Sequence, residues 1–468
     1  MINPMSFFGP CMAKGDVNGD GLEDVFAGGA SGQAGALYIQ QKGGQFIMQP
    51  QPAFEADKMS EDADAVFFDA NGDGFVDLYV ASGGYHSFAP DDTRLQDRLY
   101  LNDCKVKFKK SEDAFPPMHA SKSCVRIADI NGDGYPDVFV GGRVIPGRYP
   151  ETPQSYILIN DGKGQFSDQT KNIAPALQYA GMITDAAWLD MNDDKKSDLI
   201  ITGEWMPVMV FVNNNGKLED KTTTYFEKPC YGWWNKLLVQ DMNGDGRLDL
   251  IAGNMGLNTQ CKVSEAEPAE MYFKDFDDNG SVDPILCFYI QNKSYPYVTR
   301  DELLDQMSTM RTRYANYKSF ADQTLTDIFT NDDMKGAGHL KADCLNTTYF
   351  EMGSEGKFHA KSLPLPAQAS PVFTINALDY NKDGKQDLLL CGNINQARLR
   401  FGKYDANYGI LLKGDGKGNF EYVPQWQSGF RLWGDVRGAL QVNDTWLFGI
   451  NQSEIKAYKW GGEVKSEK

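Results

Sequence analysis

The chain has 468 residues, of which 41% are hydrophobic and 24% charged, and its 47 glycines, about a tenth of the total against a usual ~7%, describe a folded protein rich in tight turns rather than a disordered one. Acidic residues outnumber basic ones 64 to 46, giving a net charge of −18, which opposes the counterion-release attraction that holds a protein on nucleic acid. No apolar run approaches the ~20 residues of a membrane-spanning helix, and the opening MINPMSFFGP has neither the basic nor the apolar segment of a secretory signal, so any export signal is expected to have been removed or never present.

In chain order, one nonapeptide pattern, D-x-[ND]-x-[DN]-G-x-x-D, recurs: DVNGDGLED from Asp16, DANGDGFVD from Asp69, DINGDGYPD from Asp129, DMNDDKKSD from Asp190, DMNGDGRLD from Asp241, DFDDNGSVD from Asp275 and DYNKDGKQD from Asp379. An apolar run such as AVFFD precedes each copy, and DLYVASGG, DVFVGG or DLIITG follows, so each copy reads as a turn between two short strands. A second pair of strands follows in most units, from RLYLN, SYILIN, VMVFVN, TTYFEM or YGILLK into glycine turns. A four-stranded unit repeated in this way cannot bury both faces alone, and stacking into a closed ring protects its edges. The expected fold is all-β: a seven-bladed β-propeller of four-stranded antiparallel blades, with eight blades as the alternative, filling residues 1–468 as a single domain.

The copies start 53, 60, 61, 51, 34 and 104 residues apart. The short interval predicts either that copies five and six share a blade or that the fifth blade is abbreviated. Within the long one, Leu303, Leu304, Met307, Met310, Tyr314, Tyr317, Phe320, Leu325 and Ile328 follow helical spacing, which predicts a helical insertion over 300–340. Three final strands, from about 437 to 460, carry no nonapeptide and are expected to close a shared blade or form an eighth.

Calcium takes six to eight oxygen ligands from a tightly turned loop. Positions one, three, five and nine of the pattern supply carboxylates or amides, and the glycine at position six relieves the turn. These positions are Asp16, Asn18, Asp20 and Asp24; Asp69, Asn71, Asp73 and Asp77; Asp129, Asn131, Asp133 and Asp137; Asp190, Asn192, Asp194 and Asp198; Asp241, Asn243, Asp245 and Asp249; Asp275, Asp277, Asn279 and Asp283; and Asp379, Asn381, Asp383 and Asp387. Three carboxylates around one turn repel one another unless a cation pairs them, and Asx-rich turns without metal are the plainer alternative. Seven Ca²⁺ ions would bring the net charge from −18 to −4. An EF-hand is excluded, because Ala27 and Val80 stand where its glutamate belongs. In the fourth copy Lys195 replaces the glycine beside Lys196, which predicts a weak or empty site.

These loops resemble those of the FG-GAP/VCBS repeat family, found in the propellers of integrin alpha subunits and in secreted bacterial proteins. The stretches 203–213, 232–238, 275–286 and 428–440 look like the bacterial branch related to UnbV and cartilage acidic proteins. The literal Phe-Gly to Gly-Ala-Pro signature is absent, with pairs such as Gly28-Gly29 in its place. The resemblance implies a calcium-braced propeller at the cell surface, in the periplasm or outside the cell. It also implies that the calcium loop joins the first two strands of a blade, so the next connections emerge on the opposite face.

Those connections hold Arg143, Arg148, Tyr149, Glu204, Trp205, Trp233, Trp234, Asn254, Arg398 and Arg400, a composition suited to a glycan or a protein partner. The plainer reading packs the tryptophans in the central channel and pairs the arginines with surface acids. The histidines 86, 119, 339 and 359 stand apart, and there is no HExxH, P-loop or GxSxG pattern. The expectation is therefore a non-catalytic binding module. The alternatives are a polysaccharide lyase using Arg148, Tyr149 and Glu204, and a structural subunit of a cell-envelope assembly. The eight scattered cysteines, without a CxxC, are expected mostly as buried thiols.

Overall fold

The computed structural model describes residues 5, 7–103, 105–398 and 400–460; Cys104 lies outside them. The other seven cysteines are free thiols, buried except for the half-buried Cys230 and Cys344. The strands form where apolar runs lie between Asx and glycine turns. Asp137–Val144 is buried at every position, because a second strand is covered on both faces, whereas the outer strand Phe46–Gln49 is mostly exposed.

Among the described residues there are eight antiparallel sheets. Sheets one to four and seven are simple four-stranded meanders, the fourth with Gly232–Trp233 added to its second strand. The nonapeptide always joins the first strand to the second: Gly15 pairs with Asp24, Phe68 with Asp77, Ala128 with Asp137, Leu189 with Asp198, Gln240 with Asp249, Lys274 with Asp283 and Leu378 with Asp387. Sheet eight is the three-stranded tail, Val436–Val442, Thr445–Ile450 and Lys456–Lys459.

The first strands meet in a cycle. Met12–Gly15 touches Glu61–Phe68, and the contacts continue through Ser121–Ala128, Met182–Leu189, Lys236–Gln240, Val372–Leu378 and Val436–Val442 back to Met12–Gly15. Each neighbouring pair buries its own apolar cluster. Phe26 and Leu78 meet between sheets one and two, Tyr79 and Val138 between two and three, and Phe139 and Phe211 between three and four. Trp234 and Phe350 lie between four and five, Ile251 and Leu388 between five and seven, Cys391 and Phe448 between seven and eight, and Val25 and Leu447 between eight and one. Burial of a Leu or Phe side chain is worth roughly 1.5–3 kcal/mol, so this repeated stacking holds the β-propeller together. The N-terminal segment fastens the closure: Arg437 Nε donates to the Phe7 carbonyl at 3.1 Å, and Asn451 Nδ2 to that of Gly9 at 2.8 Å.

Sheet six stands apart from that cycle. The chain leaves sheet five after Asp249–Gly253 and returns to it at Thr348–Met352, building between them a sheet in the order Lys293–Pro296, Asp283–Ile290, Ala269–Lys274, Gly338–Ala342. Copies five and six thus sit on different sheets. Met271, Leu286 and Phe288 of sheet six pack with Val144 and Trp205 at the ends of second strands remote from the nonapeptides, with Tyr149 in the loop beyond, and with Trp233 of the added strand. Within the expected helical insertion, residues 300–329 form four short helices: Arg300–Gln306, Ser308–Arg311, Tyr317–Ser319 and Leu325–Ile328. Capping boxes at Thr299 and Thr324 and a side-chain cap at Asn316 restart the chain each time. Leu303, Met307, Tyr314 and Ile328 still bury against Ile285 and Cys287 of sheet six.

Candidate metal centre

All seven nonapeptides adopt one turn. Asp16 Oδ1 accepts the Gly19 and Asp20 amides at 2.8 and 3.1 Å, Asp16 Oδ2 accepts Gly21 N at 2.8 Å, and Asp20 Oδ1 accepts Leu22 N at 2.9 Å. Positions four and six take left-handed backbone angles in every copy, for example φ 73° and 82° at Gly19 and Gly21. The fourth copy holds the same shape with Asp193 at 60° and Lys195 at 66°. A side chain there costs roughly 1–2 kcal/mol, against which glycine's extra chain entropy is about 0.5–1. Lys195→Gly is accordingly expected to stabilise by about 0.5–1 kcal/mol, read as a higher denaturant midpoint; an unchanged or lower midpoint counts against strain at this turn. Lys196 Nζ already lies 3.4 Å from Asp194 Oδ2, where a bound cation would otherwise be the partner.

The ninth residue does more than offer an oxygen. Asp24, Asp77, Asp137, Asp198, Asp249, Asp283 and Asp387 are buried to 1% exposure or less, and each accepts the amide of position two of its own loop. Six of them also accept an amide of the third strand, as from Asn102 to Asp77 at 2.8 Å and Asn160 to Asp137 at 2.9 Å. Burial pushes these carboxyls up, to about 6 at Asp77 and Asp137, so their ionised form gains from a cation. In the sixth loop oxygens of Asp275, Asp277 and Asp283 lie within 4.8 Å of one another. Position three there is an aspartate where the other loops have asparagine. This donor set, hard oxygen atoms with a desolvated carboxylate behind them, fits calcium.

Three asparagines that sequence reasoning passed over tie the loops together. Asn102, Asn160 and Asn213 end third strands, and their Nδ2 atoms donate to the carbonyls of Val17, Ala70 and Ile130, each in the loop of the preceding sheet, at 2.8–2.9 Å. The recurring Asn at the end of RLYLN, SYILIN and VMVFVN was the available signal.

On the opposite face the expected candidates divide into two groups. Arg143, Tyr149, Trp205, Trp233, Trp234 and Asn254 are buried, mostly beneath sheet six, rather than on an open rim. Glu204 accepts from Arg143 Nη2 at 2.5 Å and from the Tyr149 hydroxyl at 2.8 Å, and Trp205 Nε1 donates to that hydroxyl. Trp233 and Trp205 cross edge to face. Asn254 Oδ1 accepts the Trp233 and Met255 amides. Arg148 pairs with Glu151, and Arg400 with Glu302 while covering Tyr297; Arg398 is exposed. These three remain near the surface.

Below that cover, the first strands surround a cavity of about 300 Å³ on the ring axis. Glu61 lines it, and burial, with Asp62 adding to the effect, pushes its carboxyl up to about 7. Proton binding there therefore favours the fold: the contribution is complete below about pH 4.5, the unfolded value, and is lost as pH rises through 7. Glu61→Gln should flatten the fall in stability between these limits by on the order of 2 kcal/mol, measured by denaturant titration across pH; a parallel pair of curves would contradict it.

Residues 16–80 and 190–252 match the family described as FG-GAP-like repeat. A stretch of 187 residues, 37% of this chain, is 25% identical to phosphatidylinositol-glycan-specific phospholipase D of Bos taurus, of which it spans 22%. Among solved structures, Saccharomyces cerevisiae Sqt1 matches at a TM-score of 0.44 and 10% identity, covering 98% of each chain. The V. cholerae biofilm matrix protein Bap1 matches at 0.35 and 11%, covering 99% of this chain and 89% of that one, and the Dos1 propeller at 0.39 and 9%, covering 98% and 94%. With its sheets stacked in a closed cycle, the chain is a β-propeller that carries FG-GAP-like repeats at 16–80 and 190–252.

Proposed function

We propose that this chain is a calcium-braced, seven-bladed propeller acting as a non-catalytic binding module for a glycan or a protein outside the cytoplasm. The observation that carries the calcium reading is the shared loop: seven acidic turns of one shape, each backed by a buried ninth carboxylate. The count of seven is supported by the cycle of first strands and by the different strand order of sheet six, which makes that sheet and its short helices an insertion into the fifth blade. Calcium would be held by positions one, three, five and nine. There it would neutralise the carboxylates and stiffen turns that Asn102, Asn160 and Asn213 couple to the next blade.

The lyase alternative has less behind it. Burial and the neighbouring Glu204 carboxylate push the Tyr149 phenol well up, the reverse of what a proton-abstracting phenolate needs. A partner would meet the outer surface of sheet six and the rim bearing Arg148, Arg398 and Arg400. Arrays of polysaccharides and surface proteins, probed with the calcium-loaded chain, test this. Saturable binding lost in Arg398→Ala with Arg400→Ala is expected, and saturable turnover of a polysaccharide would overturn it.

A further inference from the structure

Cysteine placement in this chain is uneven. Among the described residues Cys11, Cys124, Cys261, Cys287 and Cys391 are buried, whereas Cys230 and Cys344 are half-buried, and these two, far apart in sequence, meet. Backbone bonds fix the meeting. The Asp343 and Cys344 amides both donate to the Tyr231 carbonyl, at 2.9 and 3.0 Å, and the Tyr231 amide donates to Asp343 Oδ1 at 2.9 Å. Gly232 and Cys344 form a parallel bridge, and Asn254 Nδ2 donates to the Cys344 carbonyl at 3.0 Å. Lys341 pairs with Asp343 at 3.3 Å while lying over the Tyr231 ring. Both thiols pack against the apolar cluster of Phe226, Trp234 and Phe350.

The two sulfurs are in contact and unequal. The Cys230 thiol donates to Cys344, and this bond, with burial opposing it and the Asn346 amide adding to it, holds the Cys344 thiol below its usual value. Cys230, as the donor, is pushed well up, and burial adds to the effect. The thiolate is the nucleophile in thiol–disulfide exchange, so Cys344 is the attacking sulfur and Cys230 the resolving one. Burial by contrast pushes the Cys124 and Cys391 thiols up to about 12, which leaves them inert.

We propose that Cys230 and Cys344 are a disulfide site that staples sheet six to the ring, closed by exchange with a disulfide-bearing oxidant. The Cys344 thiolate attacks one sulfur of the oxidant and expels the other as a thiolate, which leaves a mixed disulfide. Cys230 then loses its proton, attacks the Cys344 sulfur and expels the second thiolate. The two protein thiols give up two electrons, the oxidant's disulfide becomes two thiols, and the two protons pass to them. Cys230 precedes the added strand Gly232–Trp233 of sheet four, and Cys344 lies where the chain returns from Gly338–Ala342 of sheet six to Thr348–Met352 of sheet five. The bond therefore encloses residues 231–343 and with them the whole insertion, and a long enclosed loop is where a cross-link restricts the unfolded chain most. The site stands apart from the rim and from the calcium loops.

Incubation of the full, calcium-loaded chain with oxidised glutathione, followed by alkylation of the remaining thiols, digestion and mass spectrometry, tests the proposal. A peptide pair joined through Cys230 and Cys344 is expected, and dithiothreitol should remove it. The oxidised wild type is expected to melt roughly 5 °C above the reduced chain, with no such difference in Cys230→Ser or Cys344→Ser. Cys230→Ser should retain one glutathione on Cys344, since the resolving thiol is gone, while Cys344→Ser should take up roughly tenfold less at Cys230. If either variant fails to fold, the peptide map and the melting shift of the wild type still decide. Absence of the joined peptides from the folded, oxidised wild type, glutathione left on Cys344 beside a free Cys230, or equal melting in the two redox states overturns the proposal.

Discussion

Stripping divalent ions with EDTA is expected to lower the melting temperature of this chain by roughly 10 °C or more, and re-added calcium to restore it. An ion bound only to the native state adds about 2.7 kcal/mol per site at a hundred times its dissociation constant. Several sites together therefore reach on the order of 10 kcal/mol, and in a chain of this size each kcal/mol moves the midpoint by roughly 1–2 °C. The effect is large because the loops are not isolated. Asn160 Nδ2 holds the Ala70 carbonyl of the second loop while its own amide is held by Asp137 of the third, so loosening one turn reaches the next interface. Magnesium should substitute poorly, since it prefers octahedral geometry and keeps its water. A melting curve the same in EDTA and in calcium would remove the metal reading.

Much of this architecture could be read from local pattern, because a nonapeptide with glycine at its turn and apolar runs on both sides determines its own hairpin. What escaped was what depends on distant partners. The left-handed angle at position four is as regular as that at six, yet Gly19, Asp193, Asp278 and Lys382 all occupy it, so no single residue type marks it. The staple formed by the ninth carboxylate joins the loop to a strand 15 or more positions later, as from Asp198 to Asn213, and no sequence period encodes such a bond. The long interval before the seventh copy showed its helical character but not its division, for a similar reason. Its helical spacing is real, but capping residues at Thr299, Asn316 and Thr324 divide it, and its apolar side chains serve sheet six rather than a continuous helix. Trp205 and Trp233 resemble rim residues in the sequence because the sheet that covers them is built from residues 269–342, far along the chain.

The two roles of the loop carboxylates are separable by comparing positions five and nine in one copy. Asp133 is exposed and accepts the Tyr135 amide at 2.9 Å. Without metal, Asp133→Ala should cost under about 1 kcal/mol, since water replaces that bond. Asp137 is fully buried and accepts Ile130 N at 3.0 Å and Asn160 N at 2.9 Å. Asp137→Ala strands two buried amides, each worth about 1–3 kcal/mol, so a loss of roughly 2–5 kcal/mol is expected in EDTA as well as in calcium. Adding calcium should then widen the gap between wild type and either variant by a similar amount, because each loses one ligand of the same site. Asp137→Asn keeps an acceptor for one amide and should fall between. If Asp137→Ala proved harmless in EDTA, the ninth carboxylate would be a ligand alone, and the coupling between loop and third strand would have to arise from the backbone. Equal losses at Asp133 and Asp137 in EDTA would instead mean that both act through the turn itself.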